Sequence, residues 1–450
     1  LDDAHWADAA SLELLADLLD QLADQRLMLV LSQRPDARRV QAAQAGQTQV
    51  ALSPLEPDET RDLVDQLLDA GGDAGLAPLR ALVAQRSGGN PLFVEEILRS
   101  LAGAGQLRRV DDRWQCAPDS TAADVPATLY GLLLSRIDRL GADDRRTLQE
   151  AAVLGMEFGT GLLQRIASAP KAAIEVALQR LAAAMLLCCA PGDRWRFTHA
   201  LLHEVAYQNL LLARRSELHG RVGQALEEAQ APAGDAVPAQ AERTPRRLAE
   251  LEALGHHWSL SPDKLRGARY LLAAGDWARA VYANEDALRH YQRALETLEQ
   301  EGAGDNDDEV RQARLDARER LADLQGLTGR RDEALAHYDA IRQAMDAQAD
   351  DPVREARVLR KTGGLHWECG ERERAAACFN EGLARLGEAG DAIERAHLFQ
   401  ELGRLAFRAG DNAGALAWAQ RALAEVPAGA GADTGRPPTI VRAEAGNTPG

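Results

Sequence analysis

Aromatic residues and lysine are both scarce in this 450-residue chain. Phe, Trp and Tyr together make up 4% of it, and lysine occurs only as Lys171, Lys264 and Lys361. The hydrophobic fraction of 46% is carried mainly by Ala and Leu, which favour helices, so the composition predicts a mainly α-helical protein of roughly two to four domains. The formal net charge of −17 argues against a general polyanion-binding protein.

The sequence also has no CxxC motif and no long apolar run, and both absences bear on the cellular compartment. The five cysteines are scattered without CxxC spacing, which is typical of reduced thiols in a cytoplasmic protein and not of a disulfide or zinc framework. The longest apolar run, residues 181–190, is shorter than the ~18 residues of a membrane span. We therefore expect a cytoplasmic protein without membrane contact. Since the chain starts at Leu1 instead of Met, we also expect a fragment of a longer protein.

The first fifty residues have the pattern of a parallel α/β unit. The acidic pair Asp2-Asp3 precedes leucines at helical spacing, and the apolar run 27–31 follows them. A run without polar residues predicts a strand buried on both faces of a parallel sheet. Carboxylates at the C-terminal end of such strands lie where these sheets bind ligands, and their oxygens suit Mg²⁺. The alternative is a solvated acidic turn that caps the next helix.

Four segments carry a family resemblance in the same order along the chain. They are residues 2–8 (DDAHWAD), 32–36 (SQRPD), 52–55 (LSPL) and 87–96 (SGGNPLFVEE). Together they resemble bacterial STAND-type regulatory P-loop ATPases, which occur in multidomain adenylate or guanylate cyclases, LuxR-type regulators and kinase-linked signalling proteins. The resemblance implies the distal part of an α/β P-loop ATPase core, followed by a helical lid.

The resemblance also implies roles for individual residues. Asp2 would hold Mg²⁺ through water and Asp3 would activate the attacking water, which makes these two the candidate catalytic residues. Arg34 would contact the γ-phosphate, and Asn90 and Pro91 would lie near the adenine. The implied cofactor is ATP or ADP with Mg²⁺, bound only in the intact protein.

The P-loop that such a site needs is absent from this chain. No lysine follows a glycine, so the pattern GxxxxGK[ST], with its cradle of backbone N–H groups, is missing. We therefore expect the chain alone to bind ATP poorly or not at all and to be inactive as an ATPase. A simpler explanation of residues 87–96 also stays open, since Gly88-Gly89 can end one helix and Pro91 can start the next.

The middle of the chain is predicted to be a winged-helix-like domain. Hairpins are expected at 107–116 and 185–197, with helices over roughly 143–154, 159–168 and 171–184. Basic and acidic residues are nearly balanced over 120–225, so we expect no direct DNA contact. His199 and His203 share a helix face without a third ligand, and the adjacent His256 and His257 point about 100° apart on a helix. Neither pair predicts a metal site.

The C-terminal half carries an internal repeat. Glycine, glycine and alanine recur with steps of seven and five residues at 363–370–375 and again at 403–410–415. This resembles the tetratricopeptide pattern, in which small residues allow paired helices to approach and an aromatic side chain such as that of Phe379 fills the gap. We expect either a concave face that binds a protein or peptide partner, or a plain spacer. Charged side chains on these helices are expected to be solvated.

The predicted organisation therefore combines three kinds of module. The function predicted is a fragment of a signalling ATPase in which nucleotide switches an output domain and the repeats sense a partner. The alternatives are a non-enzymatic repeat scaffold and part of a LuxR-type transcription regulator. Contacts with its own upstream and downstream domains are expected, and an oligomer on ATP binding stays open. The predicted boundaries are 1–50 partial ATPase core, 51–104 lid, 105–225 winged-helix-like domain, 226–247 linker, 248–427 repeats and 428–450 disordered tail.

Overall fold

Paired α-helices dominate the computed structural model of the chain. It describes residues 4, 11, 14–18, 28–34, 48, 50–70, 73–110, 113–116, 126–230, 245–300, 308–346, 351–387 and 390–425. The predicted tail and the central part of the predicted linker lie outside these residues. The chain divides into two compact units, Leu1–Leu132 and Leu133–Gly450. Within the described ranges, no helix combines the length and apolar character that crossing a membrane requires.

The first unit is built on three helices and a hairpin. Its helices are α1 (Pro57–Leu68), α2 (Ala77–Ser87) and α3 (Pro91–Gly103), and its strands are β1 (Leu107–Val110) and β2 (Arg113–Cys116), paired antiparallel as predicted. Each helix has proline in its first turn, where the missing N–H costs no hydrogen bond. Leu107 and Trp114 pack against the core formed by these helices. The hairpin therefore belongs with residues 57–103, and the compact unit extends beyond the boundary predicted at residue 105.

The strand predicted over residues 27–31 is not formed where the structure describes it. Residues 28–34 have no regular secondary structure, and Met28 and Val30 are 85% and 64% exposed. A strand buried on both faces needs paired strands beside it and elements covering its faces. The described residues around this segment form no such sheet, so its apolar side chains remain accessible to solvent. Leu27 lies outside the described residues.

The second unit begins with helices packed around a small antiparallel sheet. Its strands are β3 (Glu157–Gly159), β4 (Leu187–Ala190) and β5 (Arg194–Phe197). They lie in the order β3-β5-β4, and the hairpin β4–β5 is the one that the sequence predicts. Its tight turn has Gly192 and Asp193 in the left-handed region, with φ of 78° and 56°. Strand β3, which pairs with β5, was not predicted. The helices are α4 (Leu129–Asp138), whose first four residues are assigned to the first unit, α5 (Ala142–Leu154), α6 (Thr160–Ile166), α7 (Lys171–Ala183), α8 (Ala200–Gln208) and α9 (Leu212–Gln230).

A run of paired helices follows, and it confirms the tetratricopeptide-like part of the prediction. Sequence neighbours pack as antiparallel pairs and successive pairs stack. Three hydrophobic clusters lie along the run, and each is formed by helices of two adjacent pairs. The helices are α10 (Pro245–Leu260), α11 (Lys264–Ala280), α12 (Asn284–Glu299), α13 (Asp308–Leu327), α14 (Arg331–Asp346), α15 (Pro352–Glu368), α16 (Arg372–Leu386), α17 (Ala392–Arg408) and α18 (Asn412–Glu425).

Within a pair, a small residue on the first helix faces a ring on the second. A β-carbon added at Gly275 would overlap the ring of Tyr291, and one added at Gly363 would overlap the ring of Phe379. Both rings are buried, with 0% and 1% of their surface exposed. The predicted role of small residues and aromatic side chains in the repeats is therefore confirmed.

The turn within each pair has a fixed backbone conformation. Gly329, Gly370 and Gly410 occupy it with φ of 82°, 79° and 83°. Seven residues after Gly275, the corresponding position holds Tyr282, with φ of 64° and a side chain that is 87% exposed. A side chain in the left-handed region costs roughly 1–2 kcal/mol, so this turn is strained where its counterparts are not.

We expect Tyr282→Gly to stabilise the protein by about 0.5–1 kcal/mol. Relief of the left-handed strain outweighs the greater flexibility that glycine gives the unfolded chain, which costs roughly 0.5–1 kcal/mol. Little packing is lost because the Tyr282 side chain is exposed. Urea unfolding followed by circular dichroism measures the change. The control Tyr282→Ala keeps the β-carbon and should give no gain; a less stable glycine variant would contradict the argument.

Candidate functional site

The residues predicted to bind Mg²⁺ and the γ-phosphate belong to two segments near the start of the chain. Asp2 and Asp3 lie outside the described residues. Arg34 is described and its side chain is exposed. A backbone hydrogen bond of 2.8 Å from the N–H of Ala4 to the carbonyl of Ser32 joins the segment that follows the acidic pair to the segment that leads into Arg34.

Asn90 and Pro91 form the start of helix α3. The side-chain oxygen of Asn90 accepts a hydrogen bond of 3.3 Å from the backbone N–H of Phe93, and Pro91 occupies the first turn. This is the capping arrangement that explains their sequence without a ligand. Both side chains are exposed, so a partner could also reach them.

Two of the family-like segments meet directly at this helix start. The backbone N–H of Leu55 donates a hydrogen bond of 2.8 Å to the carbonyl of Gly89. A β-carbon at Gly89 would overlap the carbonyl oxygen of Leu55, and its φ of 78° also favours glycine. The sequence therefore requires glycine here for close backbone approach, which holds Asn90 and Pro91 at a fixed place beside residues 52–55.

The residues present do not by themselves fit the phosphates of ATP. Triphosphate binding in this class needs a row of backbone N–H groups and a lysine, and the sequence has no lysine preceded by glycine. Of the predicted set, the guanidinium of Arg34 and the side chain of Asn90 are polar groups that the structure describes. No chemical step can be derived through a nucleotide from these groups.

The repeats carry a second, more extensive set of polar groups along their first helices. The phenol of Tyr291 donates a hydrogen bond of 2.7 Å to Asp276, which also accepts one of 3.0 Å from Arg320 of the next pair. The phenol of Tyr338 does the same to Asp323 at 2.7 Å, and Lys361 of the following pair binds that carboxylate at 2.7 Å. Each carboxylate thus joins its own pair to the next.

We call these hydrogen bonds and ion pairs between successive helix pairs the polar ladder, and Glu319 lies at its centre. Its carboxylate accepts hydrogen bonds of 2.8 Å from both Arg357 and Lys361 on helix α15. Burial alone would raise the pKa of Glu319, but the two cations outweigh it and hold the pKa below its usual value. Glu394, two pairs after Glu319, is bound by Arg360 of the preceding pair at 2.6 Å. His397 and Arg360 outweigh burial there and lower the pKa of Glu394 to about 2. The expectation that charged side chains on these helices are solvated is therefore wrong for the carboxylates that join successive helix pairs.

Three arginines line a groove on another face of helix α13. Arg311, Arg314 and Arg318 recur at intervals of three and four residues, so they share one side of the helix. The groove has a volume of about 580 Å³. Arg314 donates to the backbone carbonyl of Leu298 at 2.9 Å, and Arg318 pairs with Glu299 at 2.5 Å, both at the C-terminal end of α12. Arg311 pairs with Asp308 at 3.1 Å. Glu299 also lines the groove, together with Leu315, Ala340, Gln343 and Ala344.

Three histidines meet where helices α9 and α10 pack. The Nδ1 atoms of His219 and His257 lie 2.9 Å apart, and Nε2 of His219 lies 2.9 Å from the hydroxyl of Tyr207. Nδ1 of His256 accepts a hydrogen bond of 2.9 Å from Arg293. Burial and then neighbouring positive groups lower the pKa of His219 and of His257 to about 3, so both imidazoles are neutral at pH 7.

The histidine cluster was missed by the sequence analysis. Adjacent His256 and His257 diverge on their own helix, but the third ring comes from His219 on a different helix, 38 residues before His257. A local spacing argument cannot find such a juxtaposition. The pair His199 and His203 forms no comparable cluster among the described residues, and Nε2 of His203 bonds to the carbonyl of Ala152 at 2.9 Å.

No protein-family model matches the chain. An uncharacterized protein of Rhizobium meliloti (strain 1021) is 28% identical over 232 residues, which are 51% of this chain and 22% of that protein. The chain therefore spans about a fifth of the length of the curated relative it matches.

Three solved structures are similar at low identity. A signal transduction ATPase with numerous domains (STAND) that has a tetratricopeptide repeat sensor, from Pyrococcus horikoshii, gives a TM-score of 0.37 at 14% identity and covers 94% of this chain and 67% of its own. Aspartyl phosphate phosphatase F from Bacillus subtilis gives 0.36 at 13%, with 66% and 75% covered. NprR in complex with its cognate peptide NprX gives 0.27 at 13%, with 64% and 79% covered. The present chain is a mainly α-helical protein with tetratricopeptide-like repeats.

Proposed function

We infer that the repeats are the partner-binding part of a regulatory protein, and that the partner presents an acidic peptide segment to the groove of helix α13. The observation that carries this inference is the row of three arginines along one groove. The other residues that line it are Glu299, Gln343 and the apolar Leu315, Ala340 and Ala344. Guanidinium groups bind carboxylates in pairs of parallel hydrogen bonds, and the small side chains of Ala340 and Ala344 leave room for a peptide backbone.

The charge of the rest of the protein favours a short acidic peptide over a nucleic acid. With a net charge of −17, a long polyanion meets repulsion beyond the groove. The neighbouring groove between α11 and α13 is lined by Asp308, Glu309 and Asp316 and by one arginine, Arg269, so its charged lining is mainly acidic. A peptide with a few carboxylates and an apolar side chain matches this limited surface.

Anchoring of the arginines supports the same inference. Arg314 is held against the carbonyl of Leu298, and Arg318 against Glu299. A side chain that is already ordered loses less conformational entropy when it binds a ligand. The groove therefore has the preorganisation that an interaction site needs.

An acidic peptide should bind the full chain, and Arg311→Glu or Arg318→Glu should weaken binding by about tenfold or more. A charge-assisted hydrogen bond contributes roughly 1.5–3 kcal/mol, and charge reversal adds repulsion. Fluorescence anisotropy with a labelled peptide of alternating Glu and Leu, at two salt concentrations, measures the effect. The matched control is Arg269→Glu in the α11–α13 groove. Equal loss in the control, or no difference between acidic and basic peptides, would contradict the proposal.

A nucleotide-dependent switch is a second candidate function. It is favoured by the two backbone hydrogen bonds, Ala4 to Ser32 and Leu55 to Gly89, because they join family-like segments in pairs. In a protein that also supplies a P-loop, Asp2 would hold Mg²⁺, Asp3 would act on water, and Arg34, Asn90 and Pro91 would contact ATP. A cyclase, kinase or DNA-binding output then stays open, and so does a plain repeat scaffold.

The chain alone should give no thermal shift with Mg·ATP. The phosphate-binding lysine and glycine loop are absent, so little of the binding energy is available. Differential scanning fluorimetry with up to millimolar Mg·ATP tests this, since a ligand at about 100 times its Kd stabilises by roughly 2.7 kcal/mol. Mg²⁺ without nucleotide is the control. A shift that saturates at micromolar ATP would show that the chain forms a complete site.

A further inference from the structure

We propose that His219, His256 and His257 form a binding site for a divalent transition metal of the zinc class. One nitrogen of each ring lies within 4.8 Å of the others, and the cluster joins helices α9 and α10. Imidazole nitrogens are preferred ligands for zinc, and three histidines with one open position make a common zinc site. This inference is independent of the peptide groove and of nucleotide binding.

The spacing of two of the three ligand atoms is close to what a tetrahedral ion needs, and the nitrogen of His256 lies within 4.8 Å of both. Zinc–nitrogen bonds of about 2.0–2.1 Å place two ligand nitrogens roughly 3.3 Å apart. The Nδ1 atoms of His219 and His257 lie 2.9 Å apart, so a metal requires them to separate by a few tenths of an ångström. Without metal one of these Nδ1 atoms carries the shared hydrogen, and metal binding moves that hydrogen to the other nitrogen of its ring.

The rings are also in the protonation state that ligands need. Burial lowers the pKa of both His219 and His257 to about 3, so their lone pairs are available throughout the neutral pH range. His256 is also buried enough for its pKa to be lowered, although its side chain reaches solvent. The exposed side of the cluster gives an ion an entry path and leaves a coordination position for water or an anion.

A neighbouring hydroxyl completes the arrangement around His219. Nε2 of His219 lies 2.9 Å from the Tyr207 hydroxyl, so a metal on Nδ1 would leave Nε2–H donating to that oxygen. Such outer hydrogen bonds fix the tautomer and orientation of a metal-bound histidine. Arg215 in turn lies over the Tyr207 ring, with its guanidinium carbon 4.4 Å from the ring centre, and restricts its movement.

Positive side chains around the histidine cluster determine which fourth ligand the metal would favour. Nδ1 of His256 accepts from Arg293, and a metal bound there would replace this hydrogen bond. Arg215 and Lys264 also lie close enough to lower the pKa of His219. These charges oppose a dication and favour an anionic fourth ligand, such as hydroxide or a carboxylate. A bound metal would link α9 to α10 and so fix the first helix of the repeats to the preceding helix.

The test is a metal titration of the full chain after removal of metal with EDTA. Co²⁺ should bind one per chain and give the visible d–d absorption of tetrahedral nitrogen ligation, and Zn²⁺ should displace it and raise Tm. His219→Gln and His257→Gln should weaken binding by at least roughly 100-fold, and Tyr207→Phe by about 10-fold. The control His337→Gln replaces another histidine whose pKa is lowered by burial, and it should bind as the unmodified chain does.

Two results would overturn the proposal. One is the absence of saturable Co²⁺ absorption in the unmodified chain, which would leave the cluster as a hydrogen-bonded packing feature. The other is unchanged affinity in His219→Gln and His257→Gln. If those buried variants do not fold, His256→Gln decides the question, because its exposed side chain can be replaced without a core cavity. It should bind Co²⁺ at least about tenfold more weakly, and an unchanged affinity would exclude the three-histidine site.

Discussion

The structure of the repeats depends on one steric constraint, the close approach of paired helices at a residue without a side chain. At Gly275 and Gly363 the facing ring occupies the space that a β-carbon would take. This contact sets the distance between the helices of a pair, because a ring packed against bare backbone leaves no room for adjustment. The position and rotation of each first helix follow from it, and so do the side chains that the helix presents to the next pair.

The polar ladder between pairs is a consequence of that geometry. The rings of Tyr291 and Tyr338 are buried, so each phenol needs an acceptor, and the aspartate next to the small residue supplies it. In the third pair the aspartate position is Gly364, and the ring there is Phe379, which has no hydroxyl. The donor and the acceptor are absent together, as expected if an unpaired buried polar group is costly.

The features that could be predicted from the sequence depend on residues close together in the chain, and the features that could not depend on contacts between separate helices. The helical pairs and both hairpins could be predicted, because the signals that specify them lie within about 40 residues of chain and act through local turns. The start of helix α3 at Pro91 could be predicted for the same reason, whereas the cap at Asn90 was found only in the structure. Two features depend on how separate helices pack: the cations around Glu319 and the contact of His219 with His257. The spacing of residues within one helix cannot predict such contacts. The apolar run 28–31 shows the converse, since its composition is that of a buried strand but the described residues form no sheet to bury it.

The helical period places acidic and basic side chains of α13 on different sides of the helix. Asp308, Glu309 and Asp316 line one groove, whereas the three arginines at 311, 314 and 318 line the other. The arginine side faces the C-terminal end of α12, where unpaired carbonyls and the helix dipole favour cations. The contact of Arg314 with the carbonyl of Leu298 orders its guanidinium. The groove of the proposed function therefore brings three arginines and one glutamate together in a protein of net charge −17, and this is the local charge that the proposed acidic segment would meet.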